Sequence, residues 1–209
     1  MTVDQTTRNP MKQLLAVPLI LLILVGTTFP ATATTHPDST GLPETSIYQL
    51  TSTWTTQDEA TVQLKNFRGR PQLIAIVYTH CGYACPMIVQ NMKRVLGTLS
   101  DPERAQVGRI LVTMDPERDT PKRLREFATT HDLDLADWTL LRSTDTDVRE
   151  LSAVLGVRYQ QEASGMFSHS SIITVVDADG VIVHQQPAIN RGIQASSDAL
   201  RQLLNAAPQ

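Results

Sequence analysis

The chain has 209 residues, 41% of them hydrophobic and 19% charged, a composition that suits one globular domain with a sizeable core and excludes a disordered chain. Its formal net charge of -3 and pI near 5.9 argue against a basic surface built for phosphate backbones, so nucleic acid is not an expected partner. The charge runs are short and mixed, and no internal repeat is present.

Met1 to Gln13 is polar and carries Arg8 and Lys12, Leu14 to Val25 is an unbroken apolar run, and an Ala31-x-Ala33 site follows. This pattern predicts a secretory signal over residues 1–33. A membrane anchor is the rival reading, because the run extended to Ala33 approaches the roughly 20 residues that cross a hydrocarbon core. Pro18, Thr27 and Thr28 weaken so long a span. Either way the body of the protein is expected outside the cytoplasm, in a bacterial periplasm, soluble after cleavage or anchored to the inner membrane. Thiols there are oxidised unless a dedicated reductant maintains them. A mitochondrial home is disfavoured, since the leader lacks the Arg/Ser-rich amphipathic character of a transit peptide. Residues 34–46 read as a Thr/Pro/Gly linker, and the folded domain is expected over 47–209.

From there strands and helices alternate. Ile47 to Trp54 and Ala60 to Leu64 predict a short hairpin, and the apolar, β-branched run Gln72 to Thr79 predicts a central strand buried on both faces. Met87, Ile88, Met92, Val95, Leu96 and Leu99 recur at helical spacing, with Ser100-Asp-Pro-Glu103 as the stop. A second buried strand runs from Gly108 to Asp115, and the next helix has Thr120 as N-cap and Pro121 in its first position. A strand at Trp138 to Leu141, a helix over Asp145 to Leu155, strands at Ser171 to Asp177 and Val181 to His184, and a helix over Ala195 to Leu204 complete the pattern. The class is α/β with a mixed sheet.

The only two cysteines, Cys81 and Cys85, stand in Thr-His-Cys-Gly-Tyr-Ala-Cys-Pro, residues 79–86. Cys81 falls just past the carboxyl end of a central strand, where open α/β sheets present their sites, and Cys85 at the first turn of the following helix. A helix N-terminus favours thiolate, the nucleophilic and metal-binding form. Pro86 suits that first turn, and Gly82 is expected to let the loop turn tightly. Three intervening residues make a wider loop than the two of thioredoxin-type redox pairs and leave room for an ion. A redox pair, a metal site and a structural disulfide all remain open at this point.

Of the five histidines, His36 lies in the linker, His131 ends a helix and His184 sits in a late strand; none reads as a ligand. His80 adjoins Cys81, but strand alternation turns it to the opposite face. His169, in Gly-Met-Phe-Ser-His-Ser-Ser, stands in an expected loop just before a buried strand. Met87 and Met92 read as core packing, Trp54 and Trp138 as core or strand edge, and Met166 lies close to His169.

Three segments, YTHCGYACP, MDPERDTPKRLREFA and FSHSSIITVVDADG, in this order and at these separations, resemble the SCO/SenC family of copper-binding assembly factors for cytochrome c oxidase. The resemblance spans Ile47 to Leu204. It implies a thioredoxin-like fold holding copper, as Cu(I) or Cu(II), through Cys81, Cys85 and His169. Thiolates favour Cu(I), and mixed nitrogen and sulfur ligation accommodates Cu(II). The implied acceptor is cytochrome c oxidase subunit II or another cuproprotein, with an upstream copper donor and a thiol reductant. Many family members have Pro and an acidic residue where this chain has Gly82 and Tyr83, so loop stiffness and local charge differ. Asp115 is a candidate to lie behind the site, while Asp119 reads as part of a helix start. The alternative is a thiol:disulfide oxidoreductase in which Cys81 and Cys85 are the redox pair and His169 is dispensable. A peroxidase on the same fold would need an activating arginine, which the motif lacks.

Overall fold

Apolar runs too short for helices and rich in β-branched residues decide where the sheet forms. A computed structural model describes residues 41–189 and 192–206; the leader, most of the linker and His36 lie outside them. Ile47–Gln49 is a 3-10 turn rather than the start of a strand, because Ser46 Oγ accepts from the Tyr48 N–H at 3.0 Å while Ile47 and Tyr48 bury their side chains. Strand β1 (Thr53–Thr56) therefore begins late, and it pairs antiparallel with β2 (Thr61–Gln63).

Strand β3 (Gln72–Val77) has every residue buried, and it leads through the cysteine loop into α1 (Ala84–Gly97). The Ser-Asp-Pro-Glu stop also starts a second helix, α2 (Asp101–Ala105), since Ser100 and Glu103 form a capping box whose Glu103 carboxylate accepts from the Ser100 N–H at 2.7 Å. Strand β4 (Gly108–Thr113) is again buried throughout. Helix α3 (Pro121–Thr130) starts as expected, with Thr120 Oγ1 accepting from the Arg123 N–H at 3.3 Å. Then come β5 (Trp138–Arg142), α4 (Asp145–Val154), a small hairpin of β6 (Tyr159–Gln161) and β7 (Phe167–His169), β8 (Ile172–Val176), β9 (Ile182–Pro187) and α5 (Gln194–Ala206).

The main sheet has seven strands in the order β2-β1-β5-β4-β3-β8-β9. The neighbours β3, β4 and β5 are parallel and the remaining pairs antiparallel, so the expected mixed sheet is present. Helix α1 packs on β3 and β8, and α5 on β8, β9 and α1. Trp54 and Trp138 are core residues, as is Met92. Strands β6 and β7 pair only with each other, as a separate two-stranded sheet. No helix among the described residues is long and apolar enough to cross a membrane.

Because β3 is covered on both faces, truncating it leaves a cavity that neither face can fill. Ile74→Ala is expected to lower stability by about 2–5 kcal/mol, read as a fall in the urea midpoint at unchanged slope.

Candidate metal centre

The chain leaves β3 at Val77 and enters α1 at Ala84, so both cysteines lie where the sheet's carboxyl edge meets a helix N-terminus. Tyr83, in the N-cap position, makes no side-chain cap bond. Instead the Cys81 sulfur accepts from the Cys85 N–H at 3.3 Å and serves the orphan donor that a Ser or Asp cap would take. Cys85 is fully buried in the first helical turn and its sulfur accepts from the Tyr78 N–H at 3.4 Å. Both thiols are free, and Cys81 is partly exposed.

The pair is electrostatically split. The Cys85 thiol donates to Cys81, and with backbone N–H groups of Cys85 and Tyr83 and the Tyr78 hydroxyl it draws the Cys81 thiol down to about 4, against the opposing effect of burial. Cys85 is pushed up, because its proton is held by Cys81 and its sulfur is buried. The Tyr78 phenol is raised to about 12, mainly by burial and then by the charge on Cys81. The thiolate is thus the exposed sulfur, and the buried one keeps the proton.

His169 is not on a loop as expected. It ends β7, paired with Tyr159, in a hairpin whose alternation turns Phe167 and His169 toward the same neighbour. Their rings meet Tyr78 edge to face, with centroids 5.3 Å and 5.9 Å away. The missed signal is alternation in Tyr159–Gln161 and Phe167–His169; three residues per strand are too few for periodicity to register. His169 Nδ1 lies 3.3 Å from the Ser170 carbonyl. A carbonyl only accepts, so in this contact Nδ1 is the donor. Nε2 is buried and has no hydrogen-bond partner among the described residues. The two sulfurs and a ring nitrogen of His169 all lie within 4.8 Å of one another. Two soft sulfurs and an imidazole nitrogen are a donor set for a soft or borderline metal ion.

His80 faces Asp119 rather than the sulfurs, but it lies in a turn beyond the end of β3, where the strand alternation expected to orient it no longer runs. Its Nδ1 lies 3.7 Å from Asp119 and 3.2 Å from Thr79 Oγ1, and its Nε2 lies 3.2 Å from Arg123. Asp119 does more than open a helix. Its buried carboxylate accepts from the Thr79 N–H at 3.0 Å, from Thr79 Oγ1 at 2.5 Å and from Thr113 Oγ1, tying the loop before Cys81 to the end of β4. Asp115 is buried and pairs with Arg118 at 2.5 Å. Burial raises the Asp115 carboxyl, with Arg118 opposing. Gly82 is not demanded by the backbone: a Cβ there would meet nothing within 4 Å, and the expected tight turn is made without a left-handed residue. Tyr83 is 74% exposed in the cysteine loop. Met166 is also exposed, and Phe167 rather than Met166 is the residue beside Tyr78. His131 packs at a tilt against Phe127, and His184 lies in β9; neither joins the cysteine group.

The SCO1/SenC family model matches residues 43–205, which is most of the chain. The chain belongs to the SCO1/SenC family. A Stutzerimonas stutzeri relative named for copper binding is 27% identical over 128 residues, a match covering 59% of this chain and 61% of that protein. The chain therefore spans less than two thirds of that relative's length. Among solved structures, copper-bound ScoI of Bradyrhizobium japonicum superposes with a TM-score of 0.61 at 23% identity, over 73% of this chain and 96% of that one. BsSco, described as a member of the Sco family of cytochrome c oxidase assembly proteins with a disulfide switch, superposes with a TM-score of 0.65 at 22% identity, over 74% and 92%. The fold is thus the thioredoxin-like fold of Sco proteins.

The split between the sulfurs has a direct chemical readout, since thiolate and not thiol is alkylated. Iodoacetamide at about pH 6 is expected to modify Cys81 well ahead of Cys85, seen by peptide mass spectrometry of metal-free, reduced protein. Equal labelling would refute the asymmetry.

Proposed function

We propose that this protein is a copper metallochaperone that binds copper, as Cu(I) or Cu(II), through Cys81, Cys85 and His169 and delivers it to the dinuclear centre of cytochrome c oxidase subunit II during assembly. The observation that carries the reading is the meeting of two sulfurs with a ring nitrogen of His169, an imidazole whose Nε2 is buried and, among the described residues, without a hydrogen-bond partner. A buried polar atom without a partner is costly, and a metal ion is the partner this donor set fits. Family membership and the copper carried by a structural neighbour support copper over zinc.

Delivery follows from the placement of the donors. Copper held by three side chains at the mouth of the fold leaves a side open to an incoming thiolate or imidazole, so the acceptor's ligand adds before a donor's leaves. No oxidation-state change is needed in that exchange. Cys81, partly exposed, is the donor an acceptor reaches first, while Cys85, in the first turn of α1, is fully buried and its sulfur accepts from the Tyr78 N–H. An upstream protein supplies copper, and a reductant keeps both thiols open in an oxidising compartment outside the cytoplasm.

A second reading is supported by the split of the pair: an ionised outer sulfur and a protonated inner one are the attacking and resolving thiols of a disulfide reductase. Cys81 would attack a substrate disulfide, releasing one substrate thiolate, and Cys85 would then displace the other. The chain would be left as the Cys81–Cys85 disulfide, with two electrons passed to the substrate. That chemistry has no use for His169.

Reduced protein is accordingly expected to bind one copper per chain. Cys81→Ser and Cys85→Ser abolish tight binding of both oxidation states, whereas His169→Ala loses or shifts the Cu(II) thiolate charge-transfer band and retains Cu(I). The measurement is an oxygen-free titration followed by visible absorption and EPR. Copper binding undiminished in either serine variant would sink the site, and oxidation to the disulfide with no retained copper would favour the reductase.

A further inference from the structure

We propose that Arg118 is the positioning residue that clamps the β6–β7 hairpin onto the cysteine loop and thereby presents His169 to the metal. The proposal rests on the three-residue copper site above.

The hairpin carries one of three donors yet belongs to no strand of the main sheet. No backbone ladder joins the hairpin itself to that sheet, so beyond the short link from His169 into β8 its distance from the sulfurs rests on side chains. Among the described residues, two hydrogen bonds from outside reach the stretch between its turn and His169. One is the Tyr78 hydroxyl to the Phe167 carbonyl, long at 3.5 Å. The other is the Arg118 guanidinium, whose Nη2 donates to the Gly165 carbonyl at 2.6 Å. The same guanidinium lies 5.9 Å over the Phe167 ring, on the strand that ends at His169.

The far side of the clamp is fixed. Arg118 Nε donates at 2.5 Å to Asp115, which is buried at the end of the β4 segment. Asp115 is itself held there: its N–H donates to Thr113 Oγ1 at 3.0 Å, and its carbonyl accepts from the Asp119 N–H at 2.9 Å. Asp119 in turn holds Thr79, two residues before Cys81. One chain of hydrogen bonds therefore runs from the loop before Cys81, through Asp119, Asp115 and Arg118, to the turn that precedes His169. Gly165, at φ +78°, aims its carbonyl at Arg118, and a Cβ there would approach Arg118 Nη1 to 3.7 Å.

Only arginine suits this position. The planar fork reaches a carboxylate through one nitrogen and a carbonyl through another while standing over an aromatic ring, and a lysine ammonium offers one charged point on a flexible stem. The clamp acts on the histidine and leaves the cysteine pair, which is fixed by β3 and α1, untouched. Its loss therefore separates two properties that general destabilisation would lower together.

The experiment compares wild type, Arg118→Met, Arg118→Lys and His169→Ala, first without metal and then with copper. In the metal-free proteins, hydrogen exchange of amides in residues 159–169 is expected to quicken about tenfold in Arg118→Met, with β3 and β4 unchanged. With copper, Arg118→Met is expected to hold Cu(I) like wild type but to shift its Cu(II) absorption band and EPR parameters toward those of His169→Ala. Arg118→Lys is expected to fail to restore either signal, although it keeps the charge. A wild-type Cu(II) spectrum in Arg118→Met overturns the proposal, whether or not the hairpin exchanges faster, and so does full rescue by lysine. If Arg118→Met does not fold, Asp115→Asn, which keeps the volume and an acceptor oxygen, is expected to give the same changes at smaller amplitude; a wild-type Cu(II) spectrum there overturns the proposal equally. Failure of the copper site itself is distinguished by His169→Ala matching wild type in its Cu(II) spectrum.

Discussion

A single buried carboxylate, that of Asp119, ties together the carboxyl ends of the two central strands. It accepts hydrogen bonds from Thr79 beyond β3 and from Thr113 at the end of β4. Charge buried this deeply is tolerated because donors surround it, and removing them would leave it stranded at a cost of several kcal/mol. Everything at the site depends on that tie. The cysteine loop departs two residues after Thr79, helix α3 departs immediately after Asp119, and Asp115, which anchors Arg118, sits between the same strand end and the same helix.

The geometry of the loop explains why two identical side chains behave differently. Cys85 is inside the first turn of α1 and packs into the core, whereas Cys81 lies outside the helix with its sulfur turned back over the helix N-terminus. The hydrogen bond from the Cys85 thiol, and then the N-terminal N–H groups, stabilise negative charge on the outer sulfur, while that same bond and then burial oppose it on the inner one. A carrier and a reductase both exploit such an asymmetry. What separates them is the hairpin, which places a third donor within 4.8 Å of the sulfurs.

The hairpin is also the least supported part of the centre. Cys85 on α1 and Cys81 in the short loop between β3 and α1 inherit the rigidity of the sheet, while His169 is held by an aromatic cluster of Tyr78, Phe167 and Tyr159 and by hydrogen bonds from side chains. For the proposed role as a carrier that releases its metal, one donor on a separately fastened element would be a physical advantage: that donor could withdraw without disturbing the core.

The sequence by itself determined the α/β class, the buried strands β3 and β4, the Thr120 cap of α3 and the placing of Cys81 and Cys85 at a strand-to-helix junction. These follow from runs of apolar residues and from capping chemistry, both local and both readable along the chain. The resemblance in three separated motifs pointed to His169, which composition and spacing left as one histidine among five. Only the tertiary structure decided that His169 ends a strand, that its Nε2 is left without a partner, and that Asp119, Tyr78 and Arg118 organise the site. Those roles are contacts between residues some forty to ninety positions apart, such as Thr79 with Asp119 and Tyr78 with Phe167. No local periodicity encodes contacts of that kind; they exist once the parallel sheet has brought the strand ends together.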